Sequence, residues 1–236
     1  MASLAERRLT LSLLFSLLAR GVTSSCEFRG HCANDADTDK AIPCAVHQDA
    51  VALETPTSWQ AFADLCPQLA AEIHPDRKVC CDVSQVEDLA RELEQPARLG
   101  MAKCPGCMLN FRDFLCRMTC SPKQSDFLAV NATAREGIGP HVVEMIYAVR
   151  EEFAQGVYDS CKDVRSVVLG IKLMTLMCGG RVFGCSPQRW LEFLGSTAPE
   201  GGYSPFKIHY VLTGEPAVRR AGRNLTPLSA PFLKTC

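Results

Sequence analysis

The sequence lacks an excess of charge of either sign. It has 25 Lys and Arg residues against 26 Asp and Glu residues, which gives a formal net charge of −1. A protein that grips the phosphate backbone of a nucleic acid carries clustered basic residues and a basic balance. We therefore predict that the chain has no nucleic-acid partner.

Beyond residue 25 the sequence also lacks a long apolar run. A membrane-spanning helix needs about twenty consecutive apolar residues. The segment from Val167 to Met177 is interrupted by Gly170 and Lys172. We expect the chain beyond residue 25 to be soluble as given, and tethered to a membrane only if it is a fragment of a longer protein.

Motifs of catalysis are missing as well. The sequence contains no G-x-S-x-G motif, and its five histidines lie in no recognisable nucleophile motif. Internal repeats and low-complexity tracts are also absent. We predict that the chain is not an enzyme and that it uses no cofactor and no metal.

The first 25 residues have the layout of a secretory signal peptide. Arg7 and Arg8 precede an apolar run, Leu9–Leu18, and small residues follow it. That run is too short to anchor the chain in a bilayer, and the order of segments is typical of a cleaved signal. We predict that residues 1–25 are a signal peptide and that residues 26–236 form one domain, which enters the secretory pathway.

Two sequons agree with export. The triplets Asn131-Ala-Thr133 and Asn224-Leu-Thr226 match the acceptor pattern for N-glycosylation. Such triplets also occur by chance, but the signal peptide makes glycosylation the better interpretation. We predict glycans on Asn131 and Asn224.

Fourteen cysteines, all beyond residue 25, predict seven disulfides in an oxidising compartment. Cys80 and Cys81 are neighbours, so we expect each to bond a different partner. Cys104-Pro-Gly-Cys107 also fits a thiol oxidoreductase motif, or half of a zinc site completed by Cys116 and Cys120. The redox motif lacks its βαβ context, and the zinc site competes with many other thiols, so structural disulfides are favoured.

The first half of the domain combines a loop with two helices. Residues 26 to about 57 are rich in Asp, Ala and Pro without a sustained period, which predicts a loop held by disulfides. Apolar spacing predicts a helix from Ser58 that stops at Pro67. The capping-box form Ser84-x-x-Glu87 predicts another helix, which ends by Gly100.

The second half is predicted to contain three helices and a strand. One helix follows Cys107 and stops at Ser121-Pro122. Residues 142–157 form a long amphipathic stretch, and a shorter helix runs through 169–176. Alternation over Phe206–Thr213 predicts a strand. With five or six helices and no βαβ rhythm, we predict an α+β fold of helices packed on a small sheet.

A set of short motifs in a fixed order resembles the N-terminal domain of the Niemann–Pick type C membrane transporters. The resemblance covers Cys26 to Cys236 and includes the order and spacing of the cysteines. The residues at Met177-Cys-Gly179 and Gln188-Arg-Trp-Leu191 resemble the intestinal sterol-uptake paralogue slightly more than the lysosomal one. The other motifs that carry it are Asp64-Leu-Cys-Pro67, Cys80-Cys-Asp-Val83 followed by Ser84-Gln85, Cys104-Pro-Gly-Cys107, Thr119-Cys-Ser-Pro122 followed by Gln124 and Phe127-Leu128, Tyr158-Asp-Ser-Cys161 and Pro205-Phe206.

The resemblance implies a sterol pocket. Domains of this family bind cholesterol and oxysterols in a deep apolar pocket between helices and a small mixed sheet. Gln85 matches the glutamine that binds the sterol hydroxyl, although spacing alone favours a solvated first-turn residue. The implied wall, whose members could instead be plain core, consists of Phe28, Leu89, Leu115, Leu176, Met177, Pro205, Phe206 and Ile208, with Thr119 nearby.

Two positions depart from the family pattern. Pro43 stands where the lysosomal member has an asparagine that contacts the hydroxyl, and His31 stands where the family often has a glutamate. Affinity or sterol preference is therefore expected to differ. The resemblance also implies the disulfides, with the final pair left by parity: Cys26–Cys80, Cys32–Cys44, Cys66–Cys116, Cys81–Cys120, Cys107–Cys161, Cys178–Cys185 and Cys104–Cys236.

These expectations combine into one functional hypothesis and a rival. We expect a non-enzymatic module that binds cholesterol or an oxysterol, receives it from a small soluble carrier or a lipid source, and hands it to a membrane-embedded transporter portion. It would act in the lumen of lysosomes or endosomes, or at the extracellular face. The rival is a disulfide-rich extracellular interaction domain with no ligand pocket.

Overall fold

The computed structural model describes residues 25–180, 184–234 and 236. The predicted signal peptide, residues 1–25, therefore lies outside the described residues except for Ser25. That residue is buried directly before the first strand, where its backbone N–H donates to the Ser125 hydroxyl at 2.7 Å.

A five-stranded mixed sheet forms one layer of the domain. Its strands are β1 (Cys26–Asn34), β2 (Ala41–Gln48), β5 (Leu128–Ala134), β6 (His141–Arg150) and β7 (Lys207–Thr213). Strand β6 pairs antiparallel with β5 and β2 and parallel with β7, while β1 pairs antiparallel with β2. Two separate short pairs are β3 (Val51–Ala52) with β4 (Lys78–Val79), and β8 (Val218–Arg220) with β9 (Arg223–Leu225).

Helices pack against this sheet, which confirms the predicted α+β class with a small mixed sheet. Within the described ranges they are α1 (Pro56–Leu65), α2 (Pro67–Glu72), α3 (Val83–Leu99), α4 (Pro105–Cys120), α5 (Gln124–Phe127), α6 (Glu151–Cys161), α7 (Leu173–Leu176) and α8 (Pro187–Leu194). Single 3-10 turns cover Met101–Lys103 and Ala198–Glu200. In this part of the chain no helix is long and apolar enough to cross a membrane.

The predicted loop over residues 26–57 is wrong, because most of it forms the β1–β2 ribbon. The polar residues gather at the turn between the strands, where the Asp35 N–H donates to the Lys40 carbonyl. The register shifts twice along this ribbon. Such irregularities break the period of two that identifies a strand in sequence. The disulfide between Cys32 and Cys44 crosslinks the two strands.

The single amphipathic stretch predicted over residues 142–157 is also wrong, since it divides into strand β6 and helix α6 at Arg150. Strand β6 is paired along both edges, with β5 on one side and with β7 and β2 on the other, and its residues 145–149 are buried without a break. A strand buried on both faces is apolar nearly throughout. Such a run satisfies helical spacing and strand spacing alike.

Other predicted elements agree more closely with the structure. Helix α4 stops before Ser121, as predicted, but it starts at Pro105 and therefore includes Cys107, which was expected to precede it. The predicted strand near the end is β7, which begins one residue later than expected. The helix predicted through residues 169–176 is a single turn, α7, because the chain before it forms an exposed loop.

An aromatic cluster joins the helices to the sheet. Phe114 of α4 stacks on Tyr147 of β6 at 5.2 Å and on Tyr210 of β7 at 6.0 Å between ring centroids. Trp190 of α8 is fully buried against the same phenylalanine. Burial of such large side chains supplies much of the apolar stabilisation of a domain of this size.

Seven disulfides crosslink the layers, as the cysteine count predicts. Neighbours Cys80 and Cys81 do bond different partners, and they fix the start of α3 to both β1 and the end of α4. The pairs coincide with those that the resemblance and parity imply: Cys26–Cys80, Cys32–Cys44, Cys66–Cys116, Cys81–Cys120, Cys104–Cys236, Cys107–Cys161 and Cys178–Cys185.

Candidate functional site

The first turn of α3 holds the Gln85 side chain in a capping box. Asp82 is the N-cap, and its Oδ1 accepts a hydrogen bond from the Gln85 N–H at 3.0 Å. In return Gln85 Oε1 accepts from the Asp82 N–H at 3.1 Å. The helix therefore starts before Ser84, and the predicted box with Glu87 is wrong. The pattern Asp82-x-x-Gln85 carries the same signal, because Asp is as good an N-cap as Ser.

A third contact fixes the orientation of the Gln85 amide. Its Oε1 also accepts from the backbone N–H of Gly30 on β1, at 2.8 Å. Both neighbours are donors, so only the amide oxygen can face them. Gln85 is 9% exposed, and no described residue accepts a hydrogen bond from its Nε2. The result is a nearly buried amide that presents a fixed, unused donor.

Gly30 is suited to its role by its backbone. Its φ of +71° lies in the left-handed region that favours glycine. Gly30 lies where the β1–β2 register is irregular, and its N–H donates to Gln85 on α3. The neighbouring His31 is exposed and contacts Asn34, so its side chain lies outside the core. Pro43, the other departure from the family pattern, is buried in β2.

Two aromatic side chains lie on and against β1, the strand whose Gly30 holds this amide. Phe28, two residues before Gly30 on β1, is 2% exposed, and its ring lies 6.5 Å from the ring of Phe206 between centroids. Leu89 lies one turn along α3 from Gln85, on the same helix face, and is 7% exposed. These residues belong to one buried apolar cluster that includes parts of β1 and α3, the two elements that hold the amide.

Lys40 links the three segments that carry these residues. Its Nζ donates to Glu92 Oε2 on α3 at 2.8 Å and to the Tyr203 carbonyl at 2.9 Å. The β1–β2 turn, α3 and the segment that leads to Phe206 are therefore fastened at one place. No sequence pattern predicted this link, because its members are far apart in the chain and each is an ordinary surface residue.

Most of the remaining predicted wall residues belong to the same main core or pack against it. Leu115, Leu176 and Met177 are half-buried and pack against the core that contains Phe28 and Leu89. Among the described residues, no hydrogen bond or ring contact joins them to Gln85. Half-buried Pro205 precedes Phe206, and buried Ile208 follows it on β7.

Thr119 is connected to the site through the backbone. Its carbonyl accepts from Gln124 Nε2 at 2.9 Å, and Gln124 Oε1 accepts from the Glu27 N–H at 2.9 Å, directly before Phe28. Gln124 is fully buried and so joins the end of α4 to β1. Sequence reasoning used Gln124 only as part of a family motif and missed this structural role.

Two surface clefts lie elsewhere. One, of about 360 Å³, is lined by Glu152, Gln155, Gly156, Asp159, Phe232 and Lys234. The other, of about 220 Å³, is lined by Arg29, Leu53, Glu54, Asp82, Val83 and Ser84. Neither includes any of the ten predicted sterol contacts, so the deep apolar pocket stays a prediction. The lining of the smaller cleft includes Asp82, Val83 and Ser84, which directly precede Gln85 in the sequence.

The disulfides remove the two alternative interpretations of Cys104-Pro-Gly-Cys107. Cys104 bonds Cys236 and Cys107 bonds Cys161, so the two thiols are neither paired with each other nor available as thiolates. Each described cysteine is in a disulfide. A redox CxxC motif needs two cysteines that can pair with each other, and a zinc site needs free thiolates. Cys104 and Cys107 supply neither, because each is bonded to another cysteine.

Both predicted glycosylation sites are accessible. Asn131 on β5 and Asn224 on β9 are exposed. The Asn131 amide donates to Glu144 Oε2 at 2.9 Å, which leaves its second N–H unused. Exposure is a requirement for glycosylation, and both sites remain predictions.

A partly buried ion-pair network that the sequence did not reveal joins α4 to α2. Arg117 donates to Asp113 Oδ2 at 2.8 Å and to Glu72 Oε2 at 2.7 Å. Asp113 is 2% exposed, and this burial raises the pKa of its carboxyl, against the opposing effect of Arg117. The network joins α2 to α4 and lies away from Gln85, so we assign it a structural role.

Comparison with known proteins identifies the family. The chain is 30% identical over 213 residues to NPC intracellular cholesterol transporter 1 of Sus scrofa, covering 87% of this chain and 16% of that protein. It is 30% identical to the homolog 1 protein of that name in Caenorhabditis elegans, covering 81% and 14%. It is 35% identical over 170 residues to NPC1-like intracellular cholesterol transporter 1 of Homo sapiens, covering 70% and 12%.

The chain thus spans about one-sixth or less of the length of these relatives. The higher identity to the NPC1-like protein extends over a shorter alignment, and the predicted paralogue stays a prediction. The family model described as the Niemann-Pick C1 N terminus matches residues 23–236. That match covers the whole of the predicted domain, and the chain belongs to the Niemann-Pick C1 N-terminal family.

Proposed function

We propose that this chain binds cholesterol or an oxysterol, with Gln85 Nε2 donating a hydrogen bond to the sterol hydroxyl. The observation that carries the proposal is the fixed amide, whose oxygen is held by the Asp82 and Gly30 N–H groups while its nitrogen is unused. The family and the relatives' names support a sterol as the ligand.

The chemistry of a sterol fits such a site. A sterol is a rigid apolar plate with a single hydroxyl, so it needs apolar walls and one or two well-placed polar groups. A donor that is already fixed loses little conformational entropy when the hydroxyl arrives. A buried hydroxyl without a partner would be costly, and this gives the amide influence over both affinity and orientation.

The walls of the proposed site come from the residues beside the amide. Phe28, Leu89, Phe206 and Ile208 are buried apolar residues, and Thr119 and Pro205 would lie at the edges of the site. Leu115, Leu176 and Met177 extend it across the same core. The Phe28 and Phe206 rings would separate to admit the sterol, because no cleft described above opens between them.

We further propose a role in sterol transfer without bond chemistry. The chain would receive sterol from a small soluble carrier or a lipid source and pass it to a membrane-embedded partner. The relatives are named as cholesterol transporters, and this chain corresponds to a small part of their length. The predicted signal peptide and the two sequons support action in the lumen of lysosomes or endosomes, or at the cell surface.

The rival function is a disulfide-rich interaction domain with no ligand pocket. It is favoured by the position of both surface clefts away from the predicted wall residues. In that case Phe28 and Phe206 would be permanent core.

Equilibrium binding of tritiated cholesterol and 25-hydroxycholesterol to the secreted, glycosylated protein tests the proposal. Saturable binding is expected, with affinity reduced about tenfold by Gln85→Ala, which removes a hydrogen bond to a buried hydroxyl. Phe206→Ala should also weaken binding. The matched control is Gln60→Ala, an exposed glutamine on α1 whose amide donates to Asp64.

Either of two results would contradict the proposal. Absence of saturable binding by a protein with all cysteines oxidised would favour the interaction domain. An equal loss of sterol affinity in Gln85→Ala and Gln60→Ala would show that the Gln85 amide does not contact the sterol.

A further inference from the structure

A short apolar loop projects from the surface between α6 and α7. We call residues 167–171, Val-Val-Leu-Gly-Ile, the apolar loop. Val168 is 73% exposed, Leu169 58%, Val167 47% and Ile171 42%. The other large exposed apolar residues described are scattered along the chain, whereas these four are adjacent. Contiguous exposed apolar residues on a folded domain mark an interaction surface.

Backbone hydrogen bonds hold the loop in this projecting position. The Ser166 N–H donates to the Ile171 carbonyl at 2.8 Å and closes the base of the loop. The Val167 N–H donates to the Leu99 carbonyl at the end of α3, at 2.9 Å. At the tip, the Gly170 N–H donates to the Ser166 carbonyl. The loop is therefore an ordered turn seated on the domain.

The Ser166 side chain orders the tip. Ser166 is 3% exposed, and its hydroxyl accepts from the N–H groups of Val168 and Leu169 at 3.3 and 3.2 Å. The two most exposed side chains of the apolar loop thus extend from backbone that is already hydrogen-bonded. Holding them in water has an unfavourable hydration free energy, which contact with an apolar medium would remove.

A glycine allows the loop to sit this close to α3. A Cβ added at Gly100 would lie 2.5 Å from the Arg165 carbonyl oxygen, and the Gly100 φ is +134°. Both facts exclude a larger residue without a backbone shift. The position of the loop is thus built into the end of the helix.

Cations flank the apolar loop. Arg165 and Lys172 bracket it and face each other in a β-bridge, and no acidic residue lies between them. The Arg165 guanidinium donates to the Gly170 carbonyl at 3.0 Å, which keeps the charge near the tip. The Lys172 ammonium pairs with Asp163 at 2.8 Å at the base. An aliphatic tip with cations behind it matches the gradient from acyl chains to phosphates in a bilayer.

We propose that the apolar loop inserts into the surface of a lipid bilayer that contains anionic phospholipid, with Arg165 at the level of the phosphates. The proposal goes beyond sterol binding, because it concerns a separate surface and does not require a bound ligand. A bilayer is favoured over a protein partner because the tip is convex and purely aliphatic. Protein interfaces depend mostly on aromatic or arginine side chains that fill pockets.

The apolar loop directly precedes part of the predicted sterol wall in the chain. Helix α7, which carries Leu176 and is followed by Met177, begins two residues beyond the apolar loop. Docking would therefore hold one end of the predicted sterol wall next to lipid. With a formal net charge of −1, the whole chain has no general attraction to anionic surfaces, so binding should depend on the loop itself.

Vesicle flotation of the secreted, glycosylated protein tests the inference. Vesicles of phosphatidylcholine with phosphatidylserine are expected to bind it, and vesicles of phosphatidylcholine alone to bind it more weakly. The double variant Val168→Ser, Leu169→Ser should lower vesicle affinity about tenfold or more, because it removes two aliphatic side chains from the inserted tip. The matched control, Ile138→Ser, removes an apolar residue that is 86% exposed elsewhere.

A second measurement reports depth directly. Leu169→Trp should be quenched by lipids brominated on the acyl chains, and Ile138→Trp should not. Arg165→Gln should reduce the preference for anionic vesicles while leaving residual binding to phosphatidylcholine.

The outcomes separate this inference from the proposed sterol site. Equal vesicle binding by the parent protein and the double variant would overturn it, as would absence of vesicle binding. Loss of binding to a soluble sterol carrier in the double variant, with no vesicle binding at all, would assign the loop to a protein partner. Sterol binding should be unchanged in the loop variants, and a chain that binds vesicles but no sterol would contradict only the proposed function.

Discussion

The N–H of Gly30 donates to Gln85 Oε1 across 2.8 Å, and this contact joins β1 to the first turn of α3. The same oxygen accepts from the Asp82 N–H in the capping box. Gln85 therefore has two separable parts. Its oxygen stabilises the fold, and its nitrogen is the donor that we propose for the sterol hydroxyl.

Replacing Gln85 with glutamate should separate these two parts. Gln85→Glu keeps an oxygen for both backbone donors, so the melting temperature should stay close to that of the parent, whereas Gln85→Ala should cost about 1–3 kcal/mol because it leaves those donors unpaired. Sterol affinity should fall in both variants at neutral pH. Thermal unfolding and sterol titration on the same preparations measure the two effects.

The glutamate variant also predicts a pH dependence that the parent lacks. Protonation of the introduced carboxyl, with an ordinary pKa of about 4.3, restores an O–H donor. Sterol affinity of Gln85→Glu should therefore rise as the pH falls toward that range. The parent amide does not titrate and serves as the control. A glutamate variant with flat, parent-like affinity would show that the Nε2 donor is not used.

Lys40 should influence how fast a sterol leaves rather than how stable the fold is. Its ammonium fastens Glu92 to the Tyr203 carbonyl, but the ion pair with Glu92 is partly exposed, with side chains 27% and 49% accessible. Lys40→Met should change stability by at most about 1 kcal/mol. It should raise the sterol dissociation rate several-fold, which chase experiments with unlabelled sterol would measure.

The control for this prediction is Lys162→Met, which removes the exposed ion pair with Asp159 on α6. If the sterol dissociation rate of Lys40→Met equals that of the parent and of Lys162→Met, Lys40 does not control the exit of the ligand. A large loss of stability would instead mean that the link supports the fold.

Gly100→Ala should be strongly destabilising. Its Cβ would meet the Arg165 carbonyl oxygen at 2.5 Å on backbone with φ of +134°. Overlap with backbone atoms and left-handed strain should together cost roughly 2–4 kcal/mol. Gly214→Ala, where the added Cβ meets nothing within 4 Å, is the control. Chemical denaturation measures both, and similar midpoints for the two variants would contradict the prediction.

The two extreme disulfide loops predict different losses of stability. Cys104–Cys236 closes 132 residues and Cys178–Cys185 closes 7. In the chain-entropy model, removing the first should cost roughly 4–5 kcal/mol and the second about 2 kcal/mol. Replacing both cysteines of a pair with alanine, followed by denaturant unfolding, tests the order. A larger loss of stability on removing Cys178–Cys185 than on removing Cys104–Cys236 would refute the entropic explanation here.

The candidate site was predictable only where its residues carry a local or family signal. Gln85 could be selected through the motif that contains it, and its capping role follows from Asp82-x-x-Gln85. The link through Lys40 could not be predicted, because it joins residues up to 163 positions apart. Contacts of that kind depend on the tertiary fold, and no pattern in a single sequence records them.

The elements of the fold also differ in whether the sequence could predict them. Helix α4 could be predicted because its apolar spacing lies between the Cys104-Pro105 start and the Ser121-Pro122 stop. Strand β6 could not, because burial on both faces removes the alternation that identifies a strand. The β1–β2 ribbon was missed because its register shifts interrupt the period.

The pairing of the disulfides has a consequence for synthesis. A chain that enters the lumen from its amino end exposes Cys26 and Cys32 before their partners, Cys80 and Cys44. Oxidation in order of arrival would join Cys26 to Cys32 and trap the ribbon in a non-native crosslink. Only thiol–disulfide exchange reverses such an error. Efficient secretion should therefore require a disulfide isomerase, and depletion of that enzyme should retain the chain as mixed-disulfide species in the endoplasmic reticulum.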